Sequence, residues 1–331
     1  MCPIRQYCIP VKHELRKRES CMSKEISAAD ISVIIPIYNR ADKLREALNC
    51  IYKQTVLPGE IVVVDDGSKD DPEAVVKEFN DPRIKFKRQE NGGPGAARNT
   101  AMAMATGRIL AFLDSDDDWL PAKLEMQIAK WNELVREGKD CVMLDTFTSS
   151  SCNGVVKWHR KIVKDGPSFE GLILENTING TSSVICEKDP VLQVGGFPET
   201  YRFAEDRFVW LTLARAGGCY TVPEILVIKN HEGDNLTDDM EKNLHHKLEF
   251  IRHVEREFKL PKKEVAKMKL WMFADFLMAY RRRGNYVKSA EMGGKMWACG
   301  DLHLLASHPK ALAAMALVMG RQKLLAITGK R

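Results

Sequence analysis

Four carboxylates stand within five positions of this chain, Asp114, Asp116, Asp117 and Asp118, in the run Phe112-Leu113-Asp114-Ser115-Asp116-Asp117-Asp118-Trp119-Leu120-Pro121. They follow an apolar, strand-like stretch at 109 to 113. Like charges at the end of a buried strand repel one another and raise the cost of ionisation. A Mg²⁺ or Mn²⁺ ion removes that cost: one or two carboxylates bind it, and a diphosphate supplies further oxygens. The bland alternative is a solvated acidic loop.

Three other clusters share the same polarity. Pro36-Ile37-Tyr38-Asn39 ends one apolar run, and Asp65-Asp66-Gly67-Ser68 ends a second. A carboxylate there can accept strongly from an imide N–H of a base or from ribose hydroxyls, although capping of the next helix explains Asp65 and Asp66 equally well. The third is Asn91-Gly92-Gly93-Pro94-Gly95-Ala96-Ala97-Arg98-Asn99, whose glycines let backbone approach a ligand at a helix start. It follows a third strand rather than the first, so it is no dinucleotide fingerprint and argues against an NAD-dependent oxidoreductase. A tight helix entry with Arg98 paired to a nearby acid is the structural alternative.

The elements that must position these loops are legible in the periodicity. The runs 31 to 37 and 60 to 64 are short, apolar and rich in β-branched residues, as in parallel strands buried on both faces. Between them, 42 to 54 carries Leu44, Ala47, Leu48, Ile51 and Tyr52 on one helical face, with Asp42 as the expected cap. Helices near 72 to 79, 95 to 105 and 121 to 136 alternate with strands near 83 to 88, 109 to 113 and 141 to 145. Such alternation predicts an α/β sheet with ligands at the strand C-termini. Segments 146 to 182 read as polar, with short strands near 183 to 187 and 221 to 229. From about 238 the chain turns helical, near 239 to 258, 262 to 283, 286 to 298 and 302 to 327. The expected organisation is an arm at 1 to 30, disordered, a catalytic domain at 31 to 235, and a helical region at 236 to 331.

With 331 residues, 50 Lys plus Arg, 45 Asp plus Glu and a net charge of +5, nothing points to a nucleic-acid partner. Nine scattered cysteines show no zinc-ligand spacing and suit reduced thiols in a cytoplasm. No secretory h-region and no run of 18 apolar residues occurs. The tail from Leu302 to Met319, apolar between Lys310, Arg321 and Lys323, could lie on an anionic membrane surface or contact another subunit in a homo-oligomer.

The ordered set VIIPIYN, VVDDGS, NGGPGAARN and FLDSDDDWLP resembles the inverting family 2 glycosyltransferases of GT-A fold, over about residues 31 to 231. That resemblance implies a mixed sheet flanked by helices, with a C-terminal helical region beyond. It implies a nucleotide-sugar donor, UDP-linked, and a glycan or lipid-linked saccharide acceptor in cell-surface polysaccharide synthesis. Pro36, Tyr38, Asn39, Asp65, Asp66, Gly93, Arg98, Asp114, Ser115 and Asp116 would line the nucleotide-sugar site, with Asp66 on the base. Asp116, with Asp114, would touch the Mn²⁺ or Mg²⁺, and His231 would reach it too. The usual aromatic-Arg run before that histidine is replaced by Val227-Ile228-Lys229-Asn230. Glu205 and Asp206 match the family's acid-Asp pair that opens a helix, which makes Asp206 the general base and puts Glu205, Asp117 and Trp119 on the acceptor side. The location implied is cytoplasmic, peripheral at the inner face of the cell membrane.

Two rivals keep the fold and change the chemistry. A nucleotidyltransferase needs a Gly-rich loop with Arg and Lys directly after the first strand, where this chain has Tyr38-Asn39-Arg40-Ala41-Asp42. An inactive GT-A glycan-binding or scaffold protein would have little reason to keep Asp66, Asp114, Asp116 and Asp206 together.

Overall fold

A computed structural model describes residues 24–152, 154–199, 204–231, 239–299 and 313. The strands are β1 (Ile31–Ile37), β2 (Glu60–Asp65), β3 (Ile84–Arg88), β4 (Ile109–Phe112), β5 (Asp117–Trp119), β6 (Cys141–Cys152), β7 (Val155–Arg160), β8 (Asp165–Gly166), β9 (Ile185–Glu187) and β10 (Gly218–His231). The helices are α1 (Ala41–Tyr52), α2 (Pro72–Phe79), α3 (Pro94–Met104), α4 (Lys123–Arg136), α5 (Phe169–Leu174), α6 (Lys188–Gln193), α7 (Glu205–Ala216), α8 (Met240–Phe258), α9 (Lys262–Arg282) and α10 (Tyr286–Ala298). The chain divides into two compact units, the first reaching Asn235 and the second starting at Leu236, with a short piece at Ile173–Asn176 assigned to the second.

All ten strands form one mixed sheet, ordered β3-β2-β1-β4-β9-β6-β10-β5, with β7 on β6 and β8 on β10. β1 pairs in parallel with β2 and β4, and β9 is antiparallel to β4 and β6. The apolar runs explain the first half. Val33, Ile34, Ile35, Val62, Val63, Leu110 and Phe112 are fully buried, because helices cover both faces of a parallel sheet. Only four residues join β4 to β5, although three strands lie between them in the sheet order. At about 4.8 Å per strand that separation would be near 19 Å across a flat sheet, more than this short turn can span. The sheet must therefore curl, and the register shifts in β10 between Val222, Ile225 and Val227 supply bends of the kind bulges produce.

Several sequence expectations move. The helix over 42 to 54 starts one residue earlier, and its first free N–H, at Ala41, donates to Asp70 Oδ2 at 2.7 Å instead of to an Asp42 cap. The expected strand at 141 to 145 runs on to Cys152, because the polar stretch Thr146–Ser151 is buried in the sheet rather than looped. β5 and β7 are not expected as strands: a run of acids hides β5, and the mixed sequence of β7, Val155-Val156-Lys157-Trp158-His159-Arg160, sits in a stretch that reads as polar overall. Residues 24–30, expected in the arm, pack on the domain: Ile26 is in the core, and its N–H donates to Asn132 Oδ1 at 2.7 Å; residues 1–23 lie outside the described residues. The helix expected at 302 to 327 lies outside the described residues, apart from the helical position 313.

The second unit is built from α8, α9 and α10. Asp239 caps α8 by accepting from the backbone N–H groups of Glu241 and Lys242, and Asn285 caps α10 through Lys288. Its core holds Phe250, Val254, Leu270, Phe273, Leu277 and Met296. No helix among the described residues is long and apolar enough to cross a membrane.

Candidate active site

The first two loops at the sheet edge are latched to each other. Asn39 N–H donates to Ser68 Oγ at 2.8 Å, Lys69 N–H donates to Asn39 Oδ1 at 2.7 Å, and Asp66 N–H donates to Ile37 O at 2.8 Å. Asn39 is held at φ 52°, a left-handed conformation that asparagine tolerates better than most residues. Pro36 is the last partly buried position of β1 before the loop, and Tyr38 is 45% exposed beyond it.

Asp65 and Asp66 are both buried. Asp65 accepts from Ser68 N–H at 2.9 Å and lies 3.4 Å from Arg88 Nε. Asp66 accepts from Gln89 Nε2 at 2.8 Å, Gly92 N–H at 2.9 Å and Gly93 N–H at 2.7 Å. A carboxylate has about four acceptor positions, so three are already used on the glycine loop. Asp66 thus ties the end of β2 to the entry of α3. Gly93, at φ 91°, precedes Pro94 at the first helical position, where the missing N–H of proline costs nothing.

Arg98 is the hinge of the whole arrangement. Its guanidinium, 7% exposed, meets Asp114 at 2.7 Å with one nitrogen and Glu205 at 3.2 Å with another. Burial alone would lower its pKa, yet Asp114 and Glu205 hold it above the usual arginine value. The loop is a helix entry at which Arg98 is paired to acids. Asp114 is drawn the other way: burial opposes its charge, but Arg98 and Lys229 keep its pKa below the ordinary carboxylate range.

The four acids are not left to repel one another. Asp116 pairs with Arg40 at 2.7 Å, Asp117 accepts from Ser182 Oγ at 2.6 Å with Lys229 Nζ at 3.8 Å, and Asp118 accepts from Asn230 Nδ2 at 2.9 Å. Each carboxylate has its own counter-charge or donor, which offsets part of the cost of their crowding. Asp117 is the exception in titration: burial, with the nearby charges of Asp114 and Asp116, pushes its pKa up to about 7 against the pull of Lys229 and Ser182. Asp117 and Trp119 are also not open to an acceptor. Trp119 is 2% exposed, its Nε1 donates to Ser182 O at 2.7 Å, and Lys123 Nζ lies 3.9 Å over its ring. Ser115, also buried, sits between the two outer acids.

A divalent cation can be tested against this donor set. No group of three or more His, Cys, Asp or Glu donors gathers among the described residues. A cation delivered with a diphosphate needs only one or two carboxylates from the protein. Asp116 and Asp114, 36% and 23% exposed, are partly open, as is Asp118, whereas Asp117 is buried; hard carboxylates are the correct donors for Mg²⁺ or Mn²⁺. The residues therefore fit a cation of that kind. The His231 side chain lies outside the described residues.

On the other side of Arg98, α7 opens with Glu205 and Asp206. Ala204 before it is held at φ 60°, a left-handed conformation that costs an alanine about 1–2 kcal/mol. Three edge-to-face aromatic pairs fix the helix beneath β4, with Phe112–Phe197 at 5.5 Å, Phe112–Trp210 at 5.6 Å and Phe197–Trp210 at 6.2 Å. Asp206 accepts from Thr181 Oγ1 at 3.0 Å and from Arg207 N–H at 2.7 Å. Burial, followed by the neighbouring Asp206 charge, raises the pKa of Glu205 despite Arg98. A shallow, open cleft lies between the glycine loop at Gly92–Ala96 and Pro198, Glu199 and Glu205.

Sequence reasoning missed Lys229, Arg40, Thr181 and Ser182. Lys229 carries an ammonium whose pKa is raised by Asp117 and, against its burial, by Asp114, Asp206 and Asp116, so it faces both sides of the site. The only signal was its place in a run that departs from the expected aromatic-Arg pattern. Ser182 takes Asp114 N–H at 3.0 Å and donates to Asp117, a pairing across more than 60 residues that no local pattern announces.

Residues 32–189 match glycosyl transferase family 2. The chain is 33% identical over 186 residues to the Escherichia coli UDP-Glc:alpha-D-GlcNAc-diphosphoundecaprenol beta-1,3-glucosyltransferase WfgD, covering 56% of this chain and 70% of that protein. It is 30% identical over 201 residues to the putative teichuronic acid biosynthesis glycosyltransferase TuaG of Bacillus subtilis, covering 56% and 73%. In fold it is similar to S. aureus TarS 1-349 in complex with UDP, with TM-score 0.60 and 18% identity over 91% of this chain and 92% of the other. The complex of TarS 1-349 with UDP-GlcNAc gives TM-score 0.61 over 88% and 91%. With the DDGS, glycine-loop and acid-loop clusters at one edge of a mixed GT-A sheet, and relatives of this similarity, the chain belongs to glycosyl transferase family 2 and is a glycosyltransferase.

Proposed function

We propose that this enzyme transfers a sugar from a UDP-sugar to a hydroxyl of a glycan or lipid-linked saccharide, with inversion at the anomeric carbon, in the synthesis of a cell-surface polysaccharide. The observation that carries the reading is the Arg98 bridge, which joins the acid loop at Asp114 to the start of α7 at Glu205. Donor-side and acceptor-side carboxylates thereby lie one guanidinium apart. Relatives and fold neighbours support the donor and acceptor classes: WfgD is named for UDP-Glc and a diphosphoundecaprenol acceptor, and TarS is seen with UDP and UDP-GlcNAc.

In this reading Tyr38, Asn39 and the loop ended by Asp65 and Asp66 flank the base and ribose, and the glycine loop at Gly93 approaches the phosphates. Asp116 and Asp114 would hold a Mg²⁺ or Mn²⁺, which when bound supplies positive charge to the leaving diphosphate. Asp206 is the general base. It takes the proton of the acceptor hydroxyl as that oxygen attacks from the face opposite the leaving group. Thr181 and the Arg207 N–H fix its carboxylate, while Glu205 is committed to Arg98.

A panel of nucleotide sugars with and without EDTA tests the donor and cation. UDP release from one UDP-sugar that stops on chelation and returns with Mn²⁺ is the expected result. Equal UDP affinity with EDTA and with Mn²⁺ would remove the metal from the reading.

A further inference from the structure

Strand β7 is unlike the rest of the sheet. It pairs only with β6 among the described residues, and five of its six residues are exposed. Val155 is 57% exposed, Val156 53%, Trp158 49%, and Val163 just beyond the strand 63%. Lys157 and Lys161 are exposed beside them, and from Thr146 to Lys164 the sequence holds no Asp or Glu. Arg160 is already engaged, donating from Nε to Ile178 O at 3.0 Å, and Lys164 is buried on Asp145 at 2.8 Å, so neither belongs to the free surface.

We propose that this edge, Val155 to Val163, is where the protein docks on an anionic phospholipid surface. Exposed valines gain from leaving water for the boundary of the acyl chains. An indole carries an apolar body and a polar N–H, which suits the headgroup level. Lysines at the surface gain from anionic lipids without needing one fixed partner. A glycan is the poorer match, since valines offer its hydroxyls no side-chain hydrogen bond. A second copy of the chain is poorer too, because edge lysines oppose strand pairing by charge repulsion.

The register gives the patch a purpose. Trp158 pairs with Ser150, Ser150 with Lys229, and Lys229 with Asp117, so the three pairings run as one row from β7 through β6 and β10 to β5. Three strand spacings make about 14 Å. A surface held at Trp158 is thus one short row away from the acid loop. This deepens the proposed use of a lipid-linked acceptor, but docking itself depends on neither the donor, the cation nor the base.

The test is sedimentation of the full chain with phosphatidylcholine vesicles, with and without phosphatidylglycerol. Wild type should sediment with the anionic vesicles far more than with the neutral ones, and less so as salt rises. Lys157→Gln with Lys161→Gln should weaken that binding by about fivefold for each lysine removed. Adding Trp158→Ser should weaken it further, and more uniformly across salt. Turnover on a lipid-free soluble saccharide should be unchanged in the triple variant, which also shows that it folds. Failure of wild type to bind anionic vesicles, or equal binding by wild type and triple variant, overturns the proposal. So does loss of soluble-acceptor turnover with vesicle binding intact, which makes the strip a glycan contact. Conversion of a dimer to a monomer in the triple variant with vesicle binding intact overturns it in favour of a second copy. Strip-dependent vesicle binding in a protein that releases UDP from no UDP-sugar leaves docking standing and removes the proposed activity instead.

Discussion

The two halves of the sheet are held together by different physics. Around β1, β2 and β4 the strands are runs of Val, Ile and Leu, buried on both faces, and the polar work is done at their ends by backbone N–H groups donating to Asp65 and Asp66. Around β6 and β10 buried apolar residues such as Val142, Leu144 and Val227 share the interior with a buried polar network. Asp145 takes Lys164 Nζ at 2.8 Å, Asn179 N–H and Nδ2 at 3.0 Å each, and Thr221 Oγ1 at 2.7 Å, all of them buried. Apolar burial is non-directional and tolerates small shifts, whereas a buried polar network fixes one arrangement and fails when a member is missing. The half that would carry the nucleotide is thus built for bulk stability, and the half that would meet the acceptor for specific geometry.

If that contrast governs function, the largest effect should come from the acceptor half. Asp206→Asn keeps the size and the Arg207 N–H contact but removes the proton acceptor, so turnover should fall by about 10² to 10⁴ while UDP affinity stays level. A carboxylate serving only as an N-terminal helix acid would instead cost on the order of 1 kcal/mol of stability and leave the rate per folded molecule intact. Turnover and UDP titration on one folded sample separate the two.

Next in size is the network itself. Lys164→Met leaves Asp145 buried without its counter-ion, and removing one partner of such a pair costs about 3–5 kcal/mol. Urea unfolding should show it as a lower midpoint. A loss under about 1 kcal/mol would mean that this half is held by its apolar contacts after all.

How much of this could be read beforehand follows the same division. The βαβ units over 31 to 113 were legible because hydrophobic periodicity is a local signal, and the four motif clusters mark strand ends for the same reason. Asp65, Asp66, Gly93, Arg98, Asp114 and Asp116 do converge, but their partners were not legible. Arg98 meets Glu205 across 107 positions and Thr221 meets Asp145 across 76, and one sequence carries no trace of such pairs. β6 was cut short at residue 145 because buried Thr and Ser look like loop residues until something accepts their hydroxyls.

Glu60 shows what a charge does in the apolar half. It is buried at the start of β2, accepting from Ser32, Thr106 and Gly107 and paired with Lys85 at 2.5 Å. Burial would raise its pKa, but Lys85, Ser32 and the two backbone donors bring it down to about 2. A carboxyl whose folded pKa is depressed contributes stability that is fully present above its unfolded value, near 4.3, and is lost as pH falls toward the folded value. Glu60→Gln should therefore destabilise by about 1–3 kcal/mol at neutral pH, and the difference from wild type should shrink as pH falls from about 4.3 toward 2. Unfolding curves at several pH values check it, and a constant difference would show that shape rather than charge is at stake.

The smallest effect should have opposite signs in the two halves. Ile34 is fully buried in β1, and Ile34→Val removes one methylene from a close-packed core, a loss of about 0.5–1.5 kcal/mol. Ser149 is 4% exposed in β6, and its Oγ has no hydrogen-bond partner among the described residues. Burying a hydroxyl without a partner is unfavourable, so Ser149→Ala deletes an atom that costs the fold more than it returns. The β-strand backbone and the neighbouring ladder to β10 are untouched, because Ser149 pairs with Ile228 through main-chain groups. The expected outcome is therefore a change between zero and about 1 kcal/mol in the stabilising direction, against a clear loss for Ile34→Val. Both variants can be measured by urea unfolding with a common m value. If Ser149→Ala destabilises as much as Ile34→Val does, the hydroxyl has a buried water or another partner, and the polar half is as fully satisfied at Ser149 as it is at Asp145.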